Sequence, residues 1–299
     1  MATSSAGSAQ ASRQRAEQLA SVLPPLLVEA ERVASTIVQG VHGRRRVGQG
    51  EAFWQFRRYQ PGDPTSRIDW RQSARSQAVF VRENEWEAAQ SVWLWRDGSA
   101  SMNYRSAREL PEKRRRAELL LMATASLLLR GGERVALLGT AAAPASSRAT
   151  LSRIAAELDG GTQFQRDSGV PPTVPLPRYG RLVLIGDFLG PPEALHAAVS
   201  HYAAQGVEGH ILLLLDPAEL TLPFAGRVRF EGMEDEGALV VRRVETLRAA
   251  YVDRLEQHRA ALADIARAVG WSFGQHRTDH PPETALLALY TALSGPDRR

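Results

Sequence analysis

The stretch VWLWRDGSASM, residues 92–102, joins an apolar run of strand-forming residues to an abrupt polar turn that begins at Asp97. It places one carboxylate and two hydroxyls, Asp97, Ser99 and Ser101, at i, i+2 and i+4 beyond an expected buried strand. Ligands of open α/β sheets collect at that carboxyl edge. Three hard oxygen donors suit Mg²⁺ better than a soft metal. A strand that ends in a Gly/Ser turn is ordinary by itself, so the reading depends on ligands from elsewhere in the chain.

Downstream, strands and helices alternate. Pro111 and Glu112 open a helix that runs to Arg130 before Gly131–Gly132. A strand over 134–139 and a short helix near 151–158 follow, then a turn at Asp159-Gly160-Gly161-Thr162. The continuous apolar run Leu182–Ile185 fits a strand buried on both faces and ends at Gly186-Asp187. A helix over 191–205, a strand over 211–215, a helix over 246–269, a strand over 271–273 and a helix over 282–293 complete the alternation. Residues 217–243 interrupt it and are expected to form a hairpin insert. The pattern predicts a doubly wound, mainly parallel α/β sheet of Rossmann-like type over residues 88–295. Asp97 and Asp187 then share one sheet edge, and Asp216, which ends a third strand, offers another carboxylate there. Thr162, in its Gly-Gly-Thr turn, adds a third hydroxyl.

The first 12 residues are rich in Ala and Ser, and a helical pattern with Leu19, Val22, Leu26, Leu27, Ala30, Val33 and Ile37 covers about 14–38. Pro24 and Pro25 break or kink it. Residues 1–40 are thus read as a tail and a helix packed on its own protein, and 41–87 as a small β-rich segment. That segment is dense in Gly, Arg and aromatics, with turns at Gly48–Gly50 and Pro61–Pro64. Its glycines lack the GxxxxGK[ST] phosphate-loop pattern. The charges of Asp63, Arg67, Asp69 and Arg75 around Trp70 read as a salt-bridged turn.

At 299 residues, 43% hydrophobic and 23% charged, the chain can bury a sizeable core without staples. It has no cysteine, which excludes disulfides, zinc–thiolate sites, iron–sulfur clusters and thiol catalysis. The formal net charge is only +4 and Lys113 is the single lysine, so nearly all positive charge is arginine. Acidic residues almost balance it, which disfavours nucleic-acid binding. No apolar run approaches the ~20 residues of a membrane span, and the first residues lack the apolar core of a signal peptide. A cytoplasmic location is expected.

DGSAS at 97–101, Gly-Gly-Thr at 160–162 and Asp187 resemble the metal-ion-dependent adhesion site of von Willebrand factor A domains. The stretch EAFWQFRRYQPGDPTSRIDWRQSARSQAVFVRENEWE, residues 51–87, resembles the signature of the bacterial family known as domain of unknown function 58. It carries an aromatic-Arg-x-Tyr run, Pro-Gly-Asp, Arg-x-Ile-Asp-Trp and Ser-Ala-Arg. The resemblance implies a von Willebrand factor A-like fold in which Asp97, Ser99, Ser101, Thr162 and Asp187 hold Mg²⁺ or Mn²⁺. It also implies a partner protein that donates a carboxylate to the ion, and a MoxR-type AAA+ ATPase as that partner. The plainer alternative has the hydroxyls capping the turn and Asp187 paired with an arginine. Phe188 stands where many adhesion-type domains have glycine, with little effect expected on the ligands.

The residues are not expected to build an enzyme. A haloacid-dehalogenase-type phosphatase needs a second acid two residues after Asp97, where Ser99 stands. A serine hydrolase needs G-x-S-x-G. His196 and His201 diverge on a helix, and His276 and His280 flank Asp279 in a polar loop. The expectation is a non-enzymatic, Mg²⁺-dependent interaction module. The competing expectation is nucleic-acid or phosphate binding by the arginine-rich segment around Arg44–Arg46, marked by steep salt dependence.

Overall fold

Strand β3, the run that ends in Asp97, lies second in a parallel sheet, and every element around it is arranged by its two faces. In the computed structural model, residues 25–41, 53–59, 68, 70–75, 78–84, 89–160, 169–233 and 237–293 are described. Along the chain come α1 (Pro25–Val41), β1 (Phe53–Arg58), α2 (Trp70–Ser73), β2 (Phe80–Asn84), β3 (Ser91–Arg96) and α3 (Lys113–Arg130). Then follow β4 (Arg134–Leu137), α4 (Ala149–Gly160), β5 (Arg181–Gly186), α5 (Pro192–Ala204), β6 (Glu208–Leu215) and α6 (Pro217–Thr221). The last elements are β7 (Val228–Glu231), β8 (Ala238–Val241), α7 (Arg248–Ala268), β9 (Ser272–Arg277) and α8 (Pro282–Leu293).

The described residues of Met1–Val41 and Gln90–Arg299 form one compact unit and those of His42–Ala89 a second. In the second, β1 and β2 pair antiparallel with an irregularity between Phe53 and Gln55, and Ser73 Oγ accepts from Phe80 N at 2.9 Å. Trp70 is exposed, while Asp63, Arg67, Asp69, Arg44–Arg46 and the expected turns lie outside the described residues.

In the larger unit the strand order is β4-β3-β5-β6-β9, all parallel. The chain leaves β3 toward β4, then returns to lay β5 on the other side. The reversal opens a crevice above the carboxyl ends of β3 and β5, the place where such sheets bind ligands. Alternation along each strand fills two cores. Val92, Leu94, Val183 and Ile185 face one side with α1, α3, α4 and α8. Trp93, Trp95, Leu182 and Leu184 face the other with α5 and α7 residues. The run Leu119–Leu128 is buried on every side because α3 is sandwiched between the sheet and α1. Helix α1 begins at Pro25, a residue suited to a first turn. Its Leu26, Leu27, Ala30, Val33, Ala34 and Ile37 are buried in this core. Ala30 is 0% exposed, so Ala30→Leu overpacks the α1–α3 seam; a loss of about 1–3 kcal/mol is expected in urea unfolding.

Two local expectations are revised. Asp159 and Gly160 belong to the last turn of α4 rather than to a loop. The interruption after β6 holds a short helix, α6, as well as the β7–β8 hairpin.

Candidate metal centre

Asp97 and Asp187 sit at the reversal point on adjacent strands and are both completely buried. Asp97 N donates to Ile185 O at 2.8 Å, which extends the β3–β5 ladder by one bond and ties the two strand ends together. Asp97 Oδ1 accepts from Ser99 N at 2.9 Å and Ser99 Oγ at 2.5 Å, and Oδ2 accepts from Phe188 N at 3.3 Å. The hydroxyls of Ser99 and Ser101 lie 3.0 Å apart. The 3₁₀ turn Ala100–Asn103 that carries Ser101 is pinned by the buried Met102. Three of the expected ligands on the first loop therefore converge. Thr162 lies outside the described residues.

Two glycines let the neighbouring backbone approach. A Cβ on Gly186 would fall 2.5 Å from Asp97 Cβ and 2.9 Å from Oδ2. A Cβ on Gly169 would lie 3.8 Å from Asp97 Oδ1, so the backbone at Gly169 passes close to the carboxylate. Phe188 adopts φ +49°, a left-handed conformation costly for a bulky residue. Its ring is buried and stacked on Trp95 at 6.2 Å, which supports that backbone and aims its N–H at Asp97. Phe188 thus touches the ligand set more directly than expected.

The partner of Asp187 is a surprise. Lys113, the first residue of α3, is 0% exposed and places its ammonium 2.7 Å from Asp187 Oδ2 and in a second ion pair with Glu219 Oε1. The plainer alternative expected an arginine there. Glu219 Oε2 accepts from Asp216 N at 2.7 Å, and Asp216 Oδ1 accepts from Ala218 N at 2.8 Å, a capping box that starts α6. Asp216 Oδ2 accepts from Ser106 N at 2.9 Å. Asp216 is therefore committed to backbone donors and is not spare as a ligand. Lys113 and Glu219 were missed as site residues. The only signals for them were the solitary lysine and the Asp-x-x-Glu capping pattern at 216–219.

The charges explain the site's electrostatics. Burial, and next the charge of Asp187, push the Asp97 carboxyl up to about 7 against the pull of its Ser99 and Phe188 hydrogen bonds. Burial disfavours the Lys113 ammonium, yet the carboxylates of Asp187 and Glu219 outweigh it and leave its pKa raised. Burial lifts Glu219 despite Lys113. Tyr251 is pushed up to about 12 by burial and then by the charge of Glu219.

Asp187 Oδ1 is buried with no hydrogen-bond partner among the described residues. An orphaned carboxylate oxygen costs more than the 1–3 kcal/mol typical of a neutral polar group. Among the described residues no three His, Asp or Glu side chains converge as a ready metal cluster. The donor set is of another kind, two carboxylates with serine hydroxyls, and it fits a hard divalent cation. Of the histidines, His258 reaches the site's backbone, its Nε2 lying 3.3 Å from Asp187 O, but none joins the side-chain donors. His276 is buried against Arg116 and held near 4 by burial and then by that guanidinium, and His201 bonds to Gln205 at the end of its own helix.

No helix among the described residues is long and apolar enough to cross a membrane. Residues 55–261 match the family described as protein of unknown function DUF58. Uncharacterized proteins of Mycobacterium bovis and Mycobacterium tuberculosis are each 30% identical over 284 residues, covering 88% of this chain and 86% of the relative. The conserved hypothetical protein BatB from Bacteroides thetaiotaomicron aligns over 69% of this chain and 100% of its own, at 14% identity and a TM-score of 0.40. An aerotolerance-related membrane protein from Bacteroides fragilis aligns over 69% and 98%, at 16% identity and 0.42. Matched over most of its length by the family and by those mycobacterial relatives, the chain belongs to the DUF58 family.

Proposed function

We propose that this chain is a non-enzymatic, von Willebrand factor A-like interaction module that captures a partner protein through a divalent cation. The observation that carries the reading is the buried, unpartnered Asp187 Oδ1 beside Asp97 and the Ser99–Ser101 hydroxyl pair. Asp97, Ser99, Ser101 and Asp187 would hold Mg²⁺ or Mn²⁺, with Thr162 as the further ligand that the resemblance implies. A hard cation of this kind supplies a Lewis-acidic position for a carboxylate from another chain. The protein's part is to orient: the Ser99 and Phe188 N–H groups aim Asp97, and Lys113 holds the far oxygen of Asp187. A MoxR-type AAA+ ATPase is the partner proposed, with an adaptor or assembly role in the bacterial cytoplasm, on the strength of the family resemblance.

The test is Mn²⁺ titration calorimetry on the wild type and Asp97→Ala. The wild type should bind one ion and Asp97→Ala none, with its thermal unfolding in EDTA still cooperative. A pull-down of the ATPase should then lose its signal with EDTA or Asp97→Ala alike. A wild type that binds neither Mn²⁺ nor Mg²⁺ sinks the reading.

A further inference from the structure

We infer that Lys113 is the site's built-in counter-cation, placed to hold Asp187 and Glu219 together when no divalent ion is bound and to weaken divalent binding. The inference rests on the cation-site reading above. The chain has 37 Lys and Arg residues and only one of them is lysine, so its cations are written as arginine almost everywhere else. Among the described residues, the fully buried Arg96 pairs with one carboxylate, Glu118, whereas the fully buried position that pairs with two, Asp187 and Glu219, uses an ammonium. An ammonium is a compact point charge with three rotatable donors, whereas a guanidinium is a wide planar fork. In size and charge distribution it is the side chain closest to a metal ion.

Its placement also divides Asp187. Oδ2 is taken by Lys113 and Oδ1 is left without a partner among the described residues, so a divalent ion and the ammonium would share one carboxylate. Asp187 and Glu219 bring two carboxylates against this one ammonium, which leaves room for further positive charge. Two cations on opposite oxygens of one carboxylate repel, so Lys113 lowers divalent affinity even as it keeps the loops ordered. The ion pair with Glu219, whose other oxygen binds Asp216 N, carries the same restraint into α6.

The experiment compares the wild type, Lys113→Met and Glu219→Gln by Mn²⁺ calorimetry and by thermal unfolding in EDTA. Lys113→Met should bind Mn²⁺ roughly tenfold more tightly. It should melt earlier in EDTA and regain most of that loss in Mn²⁺. Glu219→Gln leaves Lys113 only Asp187 to neutralise, so Mn²⁺ affinity should fall by several-fold. If Lys113→Met binds Mn²⁺ no more tightly than a binding wild type, the inference is overturned while the site reading stands. If Lys113→Met does not fold, unchanged or tighter Mn²⁺ binding by Glu219→Gln overturns it. Absence of binding in the wild type overturns both.

Discussion

Gly186→Ala is expected to lower the unfolding free energy by about 3 kcal/mol and to abolish divalent binding, although it adds a single methyl group. The new Cβ would meet Asp97 Cβ at 2.5 Å and Oδ2 at 2.9 Å, so the clash is with the root of the side chain as well as its tip. Asp97 has no easy retreat. Its Oδ1 is held by Ser99 N and Oγ, its Oδ2 by Phe188 N, and its own N–H by Ile185 O. Relief therefore means breaking those hydrogen bonds or separating β3 from β5, whose pairing runs from Val92↔Arg181 to Arg96↔Ile185. Either movement pulls the two acids apart. Gly190→Ala, four residues on, has nothing within 4 Å of its new Cβ and should stay within about 0.5 kcal/mol of the wild type. Urea unfolding of both variants with Mn²⁺ titration decides the matter; a Gly186→Ala protein as stable as Gly190→Ala would show that the β3–β5 crevice has slack.

What the sequence makes legible here follows from how far each signal reaches. VWLWR and LVLIG are apolar runs followed by Asp, and parallel pairing carries both acids to one edge, so the position of Asp97 and Asp187 is legible in the sequence. Lys113 could not. Helix α3 was expected to open at this point, but a helical side chain leans toward its helix's N-terminus, so a first-turn lysine reaches past its own start toward the strand ends. That lean is invisible when Lys113 is read as one more charge in the run KRRR. Glu219 was hidden because 217–243 broke the strand–helix alternation and was treated as an insert. The strand-end reading of Asp216 competed with its capping-box role, and the capping box won because backbone donors of α6 and of Ser106 lie within reach of its two oxygens. The Asp159–Gly160 turn failed for a simpler reason: a glycine in the last turn of α4 costs only about 1 kcal/mol and does not end the helix.

The second large effect is a dependence on pH that a divalent ion removes. The Asp97 carboxyl, ordinarily at 3.8, is pushed up to about 7 by burial and then by the charge of Asp187. Between those values the folded chain keeps a proton that the unfolded chain releases, so stability falls as pH rises through this window. The contribution is fully present below about 3.8 and lost above about 7, and the span corresponds to roughly 4 kcal/mol at most. Two histidines oppose it. His210 and His276 are lowered from 6.5 to about 4, chiefly by burial, so protonation of the unfolded chain erodes stability as pH falls from 6.5 to about 4. The Asp97 contribution must therefore be read as a difference from Asp97→Asn, whose amide does not titrate and whose histidines are unchanged. In EDTA, the stability of the wild type minus that of Asp97→Asn should decline steadily from pH 4 to pH 8. Saturating Mn²⁺ favours the ionised carboxylate and should flatten or reverse that decline for the wild type alone. Chemical denaturation across the pH range, with and without Mn²⁺, is the measurement. A flat difference in EDTA would mean that Asp97 is already ionised in the folded chain at pH 5. Its burial beside Asp187 would then be compensated by a charge other than a divalent ion.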